Sequence, residues 1–158
     1  MTAAMAAGLV AMVARSSSRL PDADTVAQEA DRLRARAVDL ADEDGRTYAE
    51  VLAAAPHREA EPQRFTDAVA AANLAPGEVT ELAERITELG ERLVADGARK
   101  LRGDAIVGVV LGEAAAIAAT ELIALNTAYG QLSDDDLGRA RARRDACGVR
   151  VERVRTVA

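Results

Sequence analysis

Apolar residues recur every three or four positions through almost the whole chain, and nowhere do β-branched and polar residues alternate as a half-buried strand requires. That pattern restricts the chain to helices packed on helices, an all-α bundle of about five to six of them. The segment from Ala105 to Tyr129 takes the pattern furthest, since its only charged side chains are Glu113 and Glu121. A helix so apolar belongs at the centre of the bundle.

Pro, Gly and Ser punctuate the other segments. The first helix is expected from about Thr2 to Ser18, apolar nearly all round and broken by Ser16, Ser17, Ser18 and Pro21. A long second helix follows Asp22 or Asp24 as cap and runs to about Ala55, ahead of Pro56. Its stripe is Val26, Ala30, Leu33, Ala37, Leu40, Asp44, Tyr48 and Val51, so Asp44 interrupts an apolar seam. A third helix is expected from Gln63 to Asn73, a stop at Pro76 and Gly77, and a fourth from Glu78 to Asp96. The fifth runs from Asp104 to Ala128. The sixth opens at Ser133, with Asp136 close to a capping-box position, and its seam is Leu137, Ala140, Arg144, Cys147, Val151 and Val154. No internal repeat or low-complexity linker divides the 158 residues, which read as a single domain, 1–158.

Composition removes several functions. With one His and one Cys, a single copy cannot assemble a zinc site, a CxxC redox pair or an intrachain disulfide, and no metal centre is expected. Aromatics at 2% and a pI near 4.9 oppose a nucleic-acid partner. The uncharged opening stretch, Met1–Ala14, falls short of the ~20 residues of a membrane span and lacks a basic leader, so it reads as a buried helix. A cytoplasmic location without membrane contact is expected.

Three carboxylates stand on faces that otherwise look buried or at a helix start: Asp44, Glu113 and Asp104. Burial drives such a group to pair, to bond or to take up a proton, and the same desolvation can tune it for acid–base work. Asp44 or Glu113 paired with Arg144 as a register device, and Asp104 as a simple N-cap, are the alternative readings. Cys147 reads as a small core residue, and the acidic run Asp42–Asp44 lacks the alternating ligands and glycine of a calcium loop.

The order of segments resembles the cyclodeaminase/cyclohydrolase family, which includes the C-terminal domain of formiminotransferase-cyclodeaminase and methenyltetrahydrofolate cyclohydrolases. AAMAAGLVAMVA from Ala3 looks like the family's Ala-rich opening helix, and DLADEDGRTYAEVLAA from Asp39 like its leucine, acidic cluster and aromatic. Arg64 followed by AVAAANLAP is similar to its arginine, Ala-rich helix and proline. GDAIVGVVLGEAA from Gly103 is similar to its Ser-Asp start and Leu-Ala-Glu-Ala-Ala continuation, and Asn126 falls on the second asparagine of its later pair. The resemblance implies an all-helical homodimer, an expectation the apolar first and fifth helices share. It also implies a tetrahydrofolate derivative as small-molecule substrate at a subunit or helix interface, with no separate cofactor required.

The implied reactions are hydration of a methenyl bridge or cyclodeamination of formiminotetrahydrofolate. Asp44 and Asp104 then serve proton transfer or pterin hydrogen bonding, with Glu113 orienting them. Tyr48, Lys100, Arg102, Asn126 and Arg144 join the substrate-binding candidates. The sequence departs from the family where its Gly-Gly-Gly-Ser turn would precede Thr2: either that turn lies upstream of Met1 or the site is built without it. Ala98, Lys100, Gly103 and Leu122 stand where the family has Asn, Asn, Ser and Asn. Lost hydrogen-bonding groups change substrate choice strongly, which leaves open another substrate on the same fold or a non-catalytic helical scaffold. Lys100 and Arg102 offer themselves to an anion.

Overall fold

A computed structural model describes residues 1–156 as six α-helices and two 3₁₀ turns. The helices are α1 (Thr2–Arg15), α2 (Ala23–Ala54), α3 (Pro62–Ala71), α4 (Leu74–Asp96), α5 (Arg102–Gly130) and α6 (Asp135–Thr156), with 3₁₀ turns at Ala55–His57 and Arg99–Leu101. Among the described residues there is no strand, as the periodicity predicts.

The central position falls to α5, which packs on α4, α1 and α6. Arg99–Gly130 is long and apolar enough to cross a membrane by length and composition, and here three helices pack against part of its circumference. Small residues make that packing close: Ala105, Gly108, Gly112, Ala115, Ala116 and Ala119 are all buried. A Cβ at Gly112 would lie 2.6 Å from Thr87 Cγ2, and one at Gly90 of α4 would lie 2.6 Å from Val109 Cγ2. The two helices therefore meet through glycine on both sides. α1 fits beside them by the same means, with Ala3, Ala6, Ala7, Val10, Ala11, Val13 and Ala14 buried.

Several boundaries differ from the sequence expectation. Pro76 and Gly77 do not stop a helix but lie in the first turn of α4, where a missing N–H costs nothing because those donors have no partner within the helix. α5 begins at Arg102 with Leu101 as its N-cap, so Asp104 is a first-turn residue and not the cap. Asp22 precedes α2 without a side-chain capping bond, and the Ser133 hydroxyl donates to the Asp135 carboxylate, so no capping box forms.

The α2 seam also ends early. Leu40 is buried, but from Ala41 to Glu50 nothing is, and Tyr48 is 59% exposed. This stretch overhangs the bundle. Burial resumes at Val51 and Ala54, which join Phe65, Val69 and Ala72 of the α3 region in a satellite cluster. On α6 the seam holds at Leu137, Ala140, Cys147, Val151 and Val154, whereas Arg144 is half-buried and pairs with Asp145 at 2.8 Å. The proposed register pairs of Arg144 with Asp44 or Glu113 are absent among the described residues.

One face of α5 stays uncovered. Val107, Ile117, Leu125 and Tyr129 are exposed there, beside Leu122 and, on α1, Met5 and Met12.

The glycine contacts make a paired prediction. Gly112→Ala forces its Cβ against the stiff, β-branched Thr87 and should destabilise the fold by roughly 1–2 kcal/mol despite its better helix propensity. Gly138→Ala on α6, where a Cβ meets nothing within 4 Å, should stabilise by about 0.5–1 kcal/mol. Thermal melts of the two variants should shift in opposite directions; equal shifts would remove the close-packing account.

Candidate functional site

A cleft of ≈ 230 Å³ opens where the first turn of α1, the middle of α2, the start of α4 and the middle of α5 converge. Its walls are alkyl, including Leu40, Pro76, Val79 and Leu122, and Asp44 is the only ionisable side chain on them. The physical reason lies in the overhang of α2: one turn beyond the buried Leu40, the helix reaches the rim and can place a half-buried carboxylate there without full desolvation. The first turn of α1 meets the cleft through Met1, Thr2 and Ala3 and carries no side-chain cap. A carboxylate in an apolar recess can accept a proton from a bound reactant and return it.

A regular set of ion pairs fixes this rim. Asp22 on the approach to α2 receives a fork from Arg92 (2.7 and 2.6 Å), Glu29 one from Arg85 (2.6 and 3.0 Å), and Arg36 gives one to Glu78 (2.6 and 2.7 Å). The partners step by seven residues along both helices in opposite directions, so the three forks form a ladder down the antiparallel α2–α4 seam. Its last rung borders the cleft: Arg36 precedes Ala37, Glu78 precedes Val79, and Arg36 also binds Glu43 at 2.5 and 3.0 Å, next to Asp44. The Arg36 guanidinium holds the Glu78 and Glu43 carboxyls below their ordinary range, mainly by hydrogen bonding. Bidentate arginine pairs set orientation as well as energy, so the ladder holds the Asp44 segment at its distance from α4.

The other candidates are dispersed. Asp104 is half-buried in the first turn of α5, and the cleft begins at Ala115, so ~16 Å of helix separates them. Lys100 and Arg102 lie at that same far end. Glu113 turns towards α6, where its Oε1 would be 3.2 Å from a Cβ at Gly148; on a helix it points away from the cleft-lining Ala115. Tyr48 stands one turn beyond Asp44 and is exposed. Asn126 donates to the Ala72 carbonyl at 3.5 Å, tying α5 to the end of α3, and Arg144 lies on α6. A single chain thus brings only Asp44 of the proposed trio into the cleft.

Sequence reasoning missed Asn73, buried at 3% exposure ahead of α4 with an Oδ1 that has no hydrogen-bond partner among the described residues. Placed at the expected end of a helix, it gave no signal. Cys147 is buried, near Thr87 Oγ1 (3.5 Å), and burial pushes its thiol pKa up, so it is a poor nucleophile.

A helical bundle with a cleft between its helices defines the class. Comparison with known proteins then gives the family: residues 1–144 match formiminotransferase-cyclodeaminase, and the chain belongs to that family. The fold is similar to that of a formiminotetrahydrofolate cyclodeaminase from Thermotoga maritima, with a TM-score of 0.82 and 21% sequence identity over 97% of this chain and 82% of that one. A search of curated proteins finds no match.

The Arg36 fork predicts a pH signature. Because the Glu78 and Glu43 pKa values are lowered in the folded state, their stabilising contribution is complete above the ordinary value of 4.5 and is lost as the pH falls through the folded values. Arg36→Gln should therefore melt below wild type at pH 7, and the two melting curves should converge as the pH falls well below 4.5. A gap that is constant with pH would mean that the fork is not its origin.

Proposed function

We propose that the chain is a cyclodeaminase/cyclohydrolase-type enzyme acting at a C–N bond of a one-carbon unit, most simply hydrolysis of methenyltetrahydrofolate or cyclodeamination of formiminotetrahydrofolate. The observation that carries this reading is Asp44, the sole ionisable side chain in an alkyl-walled cleft, on a chain of this family. In either reaction a nucleophile, water in the hydrolysis or the neighbouring amine nitrogen of the folate in the cyclodeamination, adds to the one-carbon centre and gives a tetrahedral carbon. The proton released must reach the nitrogen that departs. Asp44 takes that proton and hands it on, a role that typically contributes roughly 10²- to 10⁴-fold in rate. No separate cofactor enters the balance. The absence of side-chain amides from the cleft walls favours, as a second reading, a less polar cyclic nitrogen substrate in place of a pterin.

The working unit in this proposal is a homodimer closed by the uncovered face of α5. Val107, Ala114, Ala118 and Leu125 share that face by helical spacing and are exposed, the arrangement a two-fold contact would cover. A two-fold near Ala114 with antiparallel α5 helices carries the partner's Asp104 towards the Leu122 end of the cleft. Asp104 would then join Asp44 from the second subunit, which accounts for their separation within one chain.

Two experiments test this. Loss of methenyl absorbance should exceed the spontaneous rate with wild-type protein, and Asp44→Asn should abolish the excess while helicity by circular dichroism stays intact. Mixing Asp44→Asn with Asp104→Asn should restore about a quarter of the activity, since half the dimers are then mixed and each keeps one intact site. Unchanged turnover in Asp44→Asn would end the assignment of Asp44, and no turnover of any one-carbon folate would move the search to other substrates. Separately, Ala114→Cys should form a disulfide-linked dimer on mild oxidation; a protein that stays monomeric in solution would overturn the interface.

A further inference from the structure

At the opposite end of α1 from the Asp44 cleft, about 20 Å along the helix, a second cleft of ≈ 460 Å³ lies between the α1–α2 turn and the α4–α5 turn. Ser16, Ser18, Arg19, Arg99 and Lys100 line it, with Asp96 as the one carboxylate on its wall. Arg102 stands in the adjoining first turn of α5, and its Nε is shut off from solvent with no partner.

The chain carries 20 basic against 26 acidic side chains, and most arginines of α4 and α6 sit in ion pairs, while Arg34, Arg46, Arg58 and Arg141 have no carboxylate within 4.0 Å among the described residues. What sets this end apart is that four such side chains, Arg19, Arg99, Lys100 and Arg102, gather at one cleft and the helix turn beside it, and among the described residues none of them has a carboxylate within 4.0 Å or donates a hydrogen bond. Nor do they cap helix ends. The last carbonyls of α1 accept from the Ser16 and Ser17 N–H groups and from the Ser17 hydroxyl (2.7 Å to Val13), and the Leu93 carbonyl of α4 accepts from the Gly97 N–H at 2.9 Å.

The loop that holds these groups is built to one shape. Ser17 is buried at 3% exposure, and its hydroxyl accepts the Ala98 N–H at 2.9 Å, locking the two turns together. Gly97 admits no Cβ, which would collide with the Leu93 carbonyl and approach Ser17 Oγ to 3.1 Å. Ser16 and Ser18 remain exposed on either side of this clamp, with hydroxyls free to donate.

We infer that this cleft binds a phosphate-type oxyanion, with Arg19, Arg99 and Lys100 supplying charge and the flanking serines supplying hydroxyl donors. Guanidinium forks and a lysine point charge suit a tetrahedral, multiply charged group. Within one chain the site needs neither Asp44 nor turnover, so oxyanion binding is read independently of the reaction proposed above; in the homodimer proposed there it would lie beside the Asp104 that reaches the partner's Asp44. Its occupant is either a free phosphate or a phosphoryl group carried on a metabolite.

Isothermal titration of the full chain with inorganic phosphate, pyrophosphate and ADP tests the inference. Saturable binding at low salt that weakens as the Debye length shrinks is expected, and Arg99→Gln/Lys100→Gln should weaken it at least tenfold with circular dichroism unchanged. ADP tighter than pyrophosphate assigns the site to a carried phosphoryl group, and the reverse to a free one. No saturable binding of any of the three at low salt, or equal binding by the folded double variant, would overturn the proposal.

Discussion

The close approach of α5 to α4 and α1 is the constraint on which the rest of the bundle depends. Gly112 against Thr87 and Gly90 against Val109 leave no room for a Cβ, and the neighbouring inward positions of α5 are mostly alanine. A core packed this way buries little bulk per contact and relies on contact density instead, since dispersion is lost across even small gaps. The chain has one Phe, two Tyr and no Trp to compensate. It also displaces bulk outward: Val107, Ile117, Leu122 and Leu125 have no place between α5 and its neighbours and stay on the surface. Tight internal packing and an uncovered apolar face are thus two consequences of one distribution of small residues around a helix.

The α2–α4 seam solves a different problem. Its long helix overhangs the bundle from Ala41 to Glu50, where apolar burial cannot hold it. Forked ion pairs at Asp22–Arg92, Glu29–Arg85 and Arg36–Glu78 set its register up to the point where the overhang begins. Such half-exposed pairs add little stability singly, and their geometry is the more important contribution. Asp44 stands just past the last rung, so its position against Val79 and Pro76 depends on Arg36.

The helical class and the order of helices were legible because a 3.6-residue period survives in any single sequence. Pro76 misled because proline reads as a stop wherever it falls, although in a first turn it is harmless. Asp44 was found as a polar residue on an apolar stripe, but the stripe overstated its burial: periodicity says which face a residue shares, not how far the neighbouring helix extends. The seven-residue steps Asp22, Glu29, Arg36 and Glu78, Arg85, Arg92 were also present in the sequence. They become a ladder only once α2 and α4 are known to be antiparallel neighbours. The cleft walls, mostly alanine and leucine, carry no chemical signature at all.

The grouping of Asp44, Asp104 and Glu113 fails within one chain for a geometric reason. Residues of one helix separated by nine positions lie ~13 Å apart along its axis, and the 100° step sends Glu113 towards Gly148 while Ala115 and Ala119 face α1 and α2. Asp104 shares the α1 side of α5 with Leu122, five turns away, so the two mark opposite ends of one surface seam. An antiparallel two-fold exchanges the ends of such a seam between subunits. The uncovered apolar face lies alongside it, so the contact that would hide Val107 and Leu125 from water is the same one that would return the partner's Asp104 to Asp44.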